Sequence, residues 1–308
     1  MRKLLSIAAL VLVIAVGVVG VSGCGSSGSS SEENKPTIIV SSKPPTEAML
    51  LGTMTYMYLE ELGYPVENQM ALGSLAVIRP ALEAGEINCY WEYTGTVLIN
   101  IMEHEPSFDS EECYQLVKEY DAEKGIAWLD YSPFNNTYGI IVRKDIAEQY
   151  DLKTVSDLVD VVNEGVELTF ASSQEWQERS DGMKHWEQVY GFNYPRENVS
   201  NIALNMTYEA LKADQAEVGL AFTTDSRILG YGLVLLEDDK MAFPVYNPAP
   251  LFKQEIIDAY PEIPEQMKKL SEILDEGTIM ALNKEVDIDK KSVDEVAKSF
   301  LQEQGLIK

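Results

Sequence analysis

The stretch Ile87-Asn88-Cys89-Tyr90-Trp91-Glu92-Tyr93-Thr94-Gly95-Thr96 changes character in its middle. It begins as an aromatic, strand-like run and breaks at a Thr-Gly-Thr turn. Val97-Leu98-Ile99-Asn100-Ile101-Met102 then reads as the start of a helix. A strand that hands over to a helix through small hydroxylated residues gathers free backbone N–H groups at one point, and that point attracts an anion. Tyr93 places an aromatic face beside it, and such a face binds quaternary ammonium. Together the two suit a small zwitterion. The same residues equally fit a buried strand followed by a Thr-rich helix cap.

Outward from this stretch the chain alternates strand and helix. Pro36-Thr37-Ile38-Ile39-Val40-Ser41-Ser42 reads as a first strand, broken by Lys43-Pro44-Pro45, and Thr46 caps a helix running to about Leu62, with Gly63 as its stop. Met49, Leu50, Leu51, Met54, Met57 and Leu59 occupy most of that helix's circumference, which predicts burial on more than one side. Lys43 falls between a strand's C-terminal end and a helix N-terminus, where ligands bind in open α/β sheets; the alternative is a solvated loop lysine. A strand over Tyr64–Met70, a helix from Ser74 to Gly85 interrupted by Pro80, and a helix over Glu111–Ala122 continue the pattern, which predicts a parallel, doubly wound sheet.

A second unit follows. Residues 133–143 carry a polar Asn-Asn-Thr turn into a new apolar strand, and helix and strand then alternate through Val166–Ala171, the loop Ser172–Gly182, Met183–Tyr190, Tyr208–Ala213, Val218–Phe222 and Leu233–Leu236. Tyr246–Phe252 reads as a link leading back, and the tail is helical. The expectation is an α/β protein of two interwoven lobes, crossed near 133–138 and again within 223–245. Lobe 1 would comprise residues 36–136 and 241–308, and lobe 2 residues 137–240.

The N-terminus has a different job. Met1-Arg2-Lys3 is a short basic segment, Leu4 to Val21 is apolar, and Val21-Ser22-Gly23-Cys24 fits a bacterial lipobox. The expectation is a signal peptide over residues 1–23, lipidation of Cys24, and a flexible tether over 24–35 rich in Gly and Ser. The competing reading is a membrane-spanning helix, for which the run is barely long enough. A net charge of −26 with no basic run argues against a nucleic-acid partner. Cys89 and Cys113 remain, either as a disulfide or as two buried thiols. No zinc spacing is present, and His104 and His185 lie far apart without a partner motif, so neither metal nor cofactor is expected.

Catalytic patterns are missing from the sequence: there is no GxSxG, GxxxxGK[ST], HExxH or GxGxxG. What recurs is an aromatic residue at an element end beside small polar residues, at Tyr93, Tyr138, Tyr208 and Phe222. The runs Ile39-Val40-Ser41-Ser42-Lys43-Pro44-Pro45-Thr46-Glu47, Tyr90-Trp91-Glu92-Tyr93-Thr94-Gly95-Thr96, Phe134-Asn135-Asn136-Thr137-Tyr138-Gly139, Ala221-Phe222-Thr223-Thr224-Asp225-Ser226-Arg227 and Leu236-Glu237-Asp238-Asp239-Lys240 resemble, in order and across almost all of the mature chain, one family. It is the substrate-binding proteins of ABC importers for glycine betaine, carnitine and choline.

The resemblance implies a type II periplasmic-binding-protein fold: two doubly wound lobes joined by two crossover segments, with a ligand cleft between them. It implies an aromatic box for the trimethylammonium group at Tyr93, Tyr138, Tyr208 and Phe222. A carboxylate clamp would fall on Lys43, Thr96 and Arg179, with Asn136 and Glu175 lining the site. Phe222 stands where some relatives have Tyr, and Asn136 where some have Asp. The implied partners are a small quaternary-ammonium zwitterion, the permease subunits of an ABC importer, and the membrane through the lipid on Cys24, in an extracytoplasmic location. A choline- or carnitine-preferring receptor, a ligand sensor, and an enzyme using the same cleft are the alternatives; the missing nucleophile–base signature argues against the last. Trp91 and Glu92 are set aside as packing and surface neighbours.

Overall fold

The computed structural model describes residues 35–308 apart from Ser180. The signal-peptide and Cys24 readings lie outside the described residues. Ten strands run in chain order as β1 (Ile38–Ser41), β2 (Val66–Gln69), β3 (Cys89–Tyr93), β4 (Ile126–Trp128), β5 (Tyr138–Arg143), β6 (Phe170–Ser172), β7 (Val199–Asn201), β8 (Val218–Phe222), β9 (Leu233–Leu235) and β10 (Pro248–Lys253). They form two five-stranded sheets, β2-β1-β3-β10-β4 and β7-β6-β8-β5-β9. The fold is α/β with two lobes, as expected. The chain leaves the first sheet between Trp128 and Tyr138 and returns between Leu235 and Pro248.

The sheets are mixed, where strand–helix alternation predicted all-parallel ones. Strand β1 pairs parallel with β2 and β3, but β10 is antiparallel to both β3 and β4. In the second sheet β5 is likewise antiparallel to β8 and β9. In each lobe the reversed strand is the one that arrives from the other lobe, and a chain entering a sheet from outside has no crossover helix to impose a parallel direction. The expected link over Tyr246–Phe252 is therefore largely a strand. Its apolar Pro248–Phe252 run is buried on both faces and shows no alternation to read. The helix Leu75–Ala84 also runs through Pro80 without a break, because a single proline removes only one ladder bond.

Packing follows the side-chain pattern. Helix Thr46–Glu61 buries Leu50, Leu51 and Met54 completely, and its burial extends round to Thr53, Thr55, Tyr58 and Leu59, as its apolar circumference predicts. Burying each large apolar side chain contributes about 1.5–3 kcal/mol. The second lobe is built on aromatics: Phe170 lies 5.2 Å from Tyr194 and Trp186 lies 4.8 Å from Phe192, edge to face. Trp176 is fully buried in this cluster and draws the helix Gln174–Glu178 onto the sheet, a helix that falls within the expected Ser172–Gly182 loop. Cys89 and Cys113 are free, buried thiols.

The two crossing segments are bonded to each other. The amide N–H of Tyr246 donates to Asn135 Oδ1 at 2.6 Å, and Asn247 Nδ2 donates to the Phe134 carbonyl at 2.8 Å. Thr223 at the end of β8 accepts the N–H of Thr137 and donates to the Asn135 carbonyl. Beside this junction Glu276, in the first turn of helix Glu276–Asp287, shares a hollow with Tyr138, Lys153, Glu237 and Asp238. Burial, reinforced by the charge of Asp275, pushes its carboxyl up to about 7. A raised carboxyl stabilises the fold only while it holds its proton, so stability is lost as pH rises from the ordinary carboxylate range through about 7. Glu276→Gln should therefore melt above the parent chain at pH 8, and the two melting temperatures should converge as the pH is lowered to 5; thermal melts across that range check it.

Candidate binding site

The site begins at the C-terminal ends of β1 and β3. Lys43 follows β1, and its ammonium reaches the carboxylate of Glu92 on β3 in a short ion pair while lying 5.4 Å from the centre of the Tyr93 ring. Its side chain is only 13 % exposed, so it is not a solvated loop lysine. Glu92, read from sequence as a surface neighbour, is fully buried: it accepts from the Tyr93 N–H at 2.8 Å and the Tyr90 hydroxyl at 3.1 Å as well as from Lys43. β3 is covered on both faces, so Glu92 is buried opposite Trp91, and a buried carboxylate requires such partners. Trp91 is packing, as expected, with its indole N–H on Thr55.

The Thr-Gly-Thr turn opens the helix Thr94–Asn100, but its leading N–H groups are not all free. Tyr93 N–H is held by Glu92, and Thr94 N–H donates to the Asn247 carbonyl at 3.0 Å. Gly95 is required by close approach: a Cβ there would lie 2.4 Å from the Val245 carbonyl oxygen and 2.8 Å from the Tyr246 ring. Tyr246 therefore packs directly on the turn.

A cavity of about 350 Å³ collects these elements. Of the residues expected to bind ligand, Lys43, Tyr93, Thr96, Asn136, Tyr138, Arg179 and Phe222 line it. Tyr138 and Phe222 are register partners across β5 and β8, which stacks their rings at 5.2 Å and 20°. Arg179 follows helix Gln174–Glu178 and forms a fork with Asp181, two bonds of 2.7 Å, which holds the guanidinium above its ordinary range. Burial raises the phenols of Tyr93, Tyr138 and Tyr246, so all three stay neutral rings at physiological pH.

Two expected residues stand elsewhere. Tyr208 is fully buried below the end of β8, where its hydroxyl accepts the Phe222 N–H at 2.9 Å and the Arg227 guanidinium covers its ring at 3.9 Å. It supports Phe222 and offers no open face to the cavity. Glu175 is exposed and borders a separate hollow on the far side of Tyr138, because the burial of Trp176 rotates its neighbour outward. Five residues that were not singled out also line the cavity, and two of them, Tyr246 and Glu47, bear on its chemistry. Tyr246 is the fourth aromatic ring of the lining, and Glu47 brings a carboxylate from the first turn of helix Thr46–Glu61. Glu47 sits inside the Lys43-Pro44-Pro45-Thr46-Glu47 run, next to the expected helix cap, so its position was readable as a site edge. Tyr246 was hidden because its partner, Gly95, is distant in sequence.

Two α/β lobes that share one cavity through their crossover segments define a two-lobed solute-binding protein. A family model described as the substrate-binding domain of ABC-type glycine betaine transport systems matches residues 36–303. A glycine-betaine-binding protein of Pseudomonas aeruginosa is 35% identical over 277 residues, covering 88% of this chain and 89% of its own. The carnitine transport binding protein OpuCC of Listeria monocytogenes is 33% identical over 276 residues, 88% of each chain. The solved structure of apo YehZ from Escherichia coli superposes with a TM-score of 0.81 at 29% identity, covering 88% of this chain and 99% of its own. The chain belongs to this family of substrate-binding proteins, which serve ABC importers of quaternary-ammonium osmoprotectants and bind their solute without transforming it.

Because a methyl at residue 95 must displace Tyr246, Gly95→Ala should weaken ligand binding about tenfold or more while the chain still folds, and titration calorimetry with a parallel melt checks both halves.

Proposed function

We propose that this chain is an extracytoplasmic receptor for glycine betaine or a close quaternary-ammonium carboxylate, tethered to the membrane through lipidated Cys24. The observation that supports the ligand is the meeting of Tyr93, Tyr138, Phe222 and Tyr246 with Lys43 and Arg179 around one small cavity. Quaternary ammonium has no N–H to donate, so ring faces and exclusion of water must select it. Each desolvated face contributes about 0.5–2 kcal/mol. Lys43 and Arg179 keep N–H donors beyond those engaged by Glu92 and Asp181 and would clamp the carboxylate, with Thr96 beside them. Each charge-assisted bond adds about 1.5–3 kcal/mol. Micromolar binding requires about 8 kcal/mol, within reach of such a set after the cost of closure.

The cavity wall draws on both sheets, so a bound ligand would favour the closed arrangement that a permease recognises. Choline lacks the carboxylate, so glycine betaine should bind at least tenfold more tightly than choline by calorimetry on residues 36–308; a choline preference would overturn the clamp. Tyr93→Ala should abolish binding while the melting temperature of the chain is retained; unchanged affinity would remove Tyr93 from the box. Cys24→Ser should move the full-length protein from the membrane fraction to the soluble extracytoplasmic fraction, and continued membrane retention would refute the anchor.

A further inference from the structure

Glu47 stands out among the charged groups of the cavity wall. It is only 6 % exposed, yet its partners are all neutral. Oε1 accepts from the Tyr93 hydroxyl at 2.5 Å and from Asn136 Nδ2 at 2.9 Å, and Oε2 accepts from Asn283 Nδ2 at 3.0 Å. Among the described residues no Lys, Arg or His lies within ion-pair distance of it. The cavity's two cations are already matched, Lys43 by Glu92 and Arg179 by Asp181. Glu47 is thus the one cavity carboxylate without a counter-cation, and it directs Tyr93, one of the four rings, by a hydrogen bond to the phenol. The first turn of a 16-residue helix favours negative charge there when the cavity is empty, which makes the carboxylate tolerable without a cation.

We propose that Glu47 supplies the counter-charge met by the ligand's ammonium group, and that this charge, added to the pull of the ring faces, makes the receptor choose an ammonium ligand over its carbon analogue of the same shape. The inference rests on the quaternary-ammonium reading above. Ring faces touch an uncharged tert-butyl group as they touch trimethylammonium, because the two have the same outline, and their quadrupoles favour the cation. A buried carboxylate separates them further, because only the ammonium group gains Coulombic energy from it, and a low-dielectric wall magnifies that gain. The three neutral donors fix the carboxylate's position, so no reorganisation is needed on binding.

The competing role is a structural knot: Glu47 links helix Thr46–Glu61 to Tyr93, to the crossover at Asn136 and to Asn283 on helix Glu276–Asp287. Two matched ligand pairs separate the roles. 3,3-Dimethylbutanoate is glycine betaine with carbon in place of the ammonium nitrogen, and 3,3-dimethylbutan-1-ol is the same replacement in choline. Kd is measured by calorimetry for all four ligands on the parent chain, on Glu47→Gln and on Glu47→Asp, with melts to confirm folding. Asn283 Oδ1 has no partner, so its amide can turn over to meet a glutamine, giving up the Nδ2 bond to the Thr224 carbonyl. The affinity ratio of each ammonium ligand to its carbon analogue should fall about tenfold or more in Glu47→Gln, and Glu47→Asp should keep most of the ratio while losing affinity for every ligand. If Glu47→Gln weakens ammonium ligands and their carbon analogues equally and leaves the ratio intact, Glu47 is only a knot and the proposal is overturned. If the parent chain binds neither glycine betaine nor choline, the quaternary-ammonium reading itself fails, a result distinct from an intact ratio.

Discussion

The site depends on the antiparallel pairing of β10 with β3, which sets Pro248 opposite Tyr93. That register brings the returning crossover over the Thr-Gly-Thr turn, where Thr94 and Asn247 exchange hydrogen bonds and Tyr246 lies against Gly95. The outgoing crossover is bonded to the same segment through Asn135 and Phe134. Both strands of the hinge therefore meet beside the cavity. A one-residue slip of β10 would turn every one of these side chains to the opposite face and dismantle the wall.

Charge in the wall is arranged in advance. Lys43 and Arg179 are held by Glu92 and Asp181, which fixes their direction without consuming all of their donors. Buried pairs of this kind contribute little net stability against an apolar replacement, so their value here lies in geometry. The aromatic faces are arranged by the same logic: β5–β8 register stacks Tyr138 on Phe222, and Tyr208, buried beneath, holds the backbone that carries Phe222. Glu47 completes the set as a positioned anion among neutral donors.

Much of this was legible in the residues. Strand–helix alternation and the polar turn before Tyr138 marked two lobes and the first crossing, and Lys43, Tyr93 and Thr96 were placed by their positions at element ends. What the residues hid was long-range pairing. Apolarity in Pro248–Phe252 marks burial but no direction, so the strand looked like a link and the sheets looked parallel. Tyr246 and Tyr208 are both tyrosines near element ends, and only the approach of residue 246 to Gly95 and the cover of Arg227 over residue 208 distinguish a cavity ring from a buried prop. Glu92 and Glu175 each adjoin a buried tryptophan and differ in what covers the other side: β3 is buried on both faces, and the helix Gln174–Glu178 on one.

The claim at the centre is that a trimethylammonium group sits against ring faces contributed by both lobes. The most direct measurement is the proton chemical shift of the N-methyl groups of glycine betaine bound to the intact chain, read by exchange-transfer or isotope-filtered NMR. Methyl protons over aromatic faces feel ring currents, so the bound resonance should move upfield of the free one, and the displacement should shrink in Phe222→Ala. A bound resonance at the position of the free ligand would contradict the account.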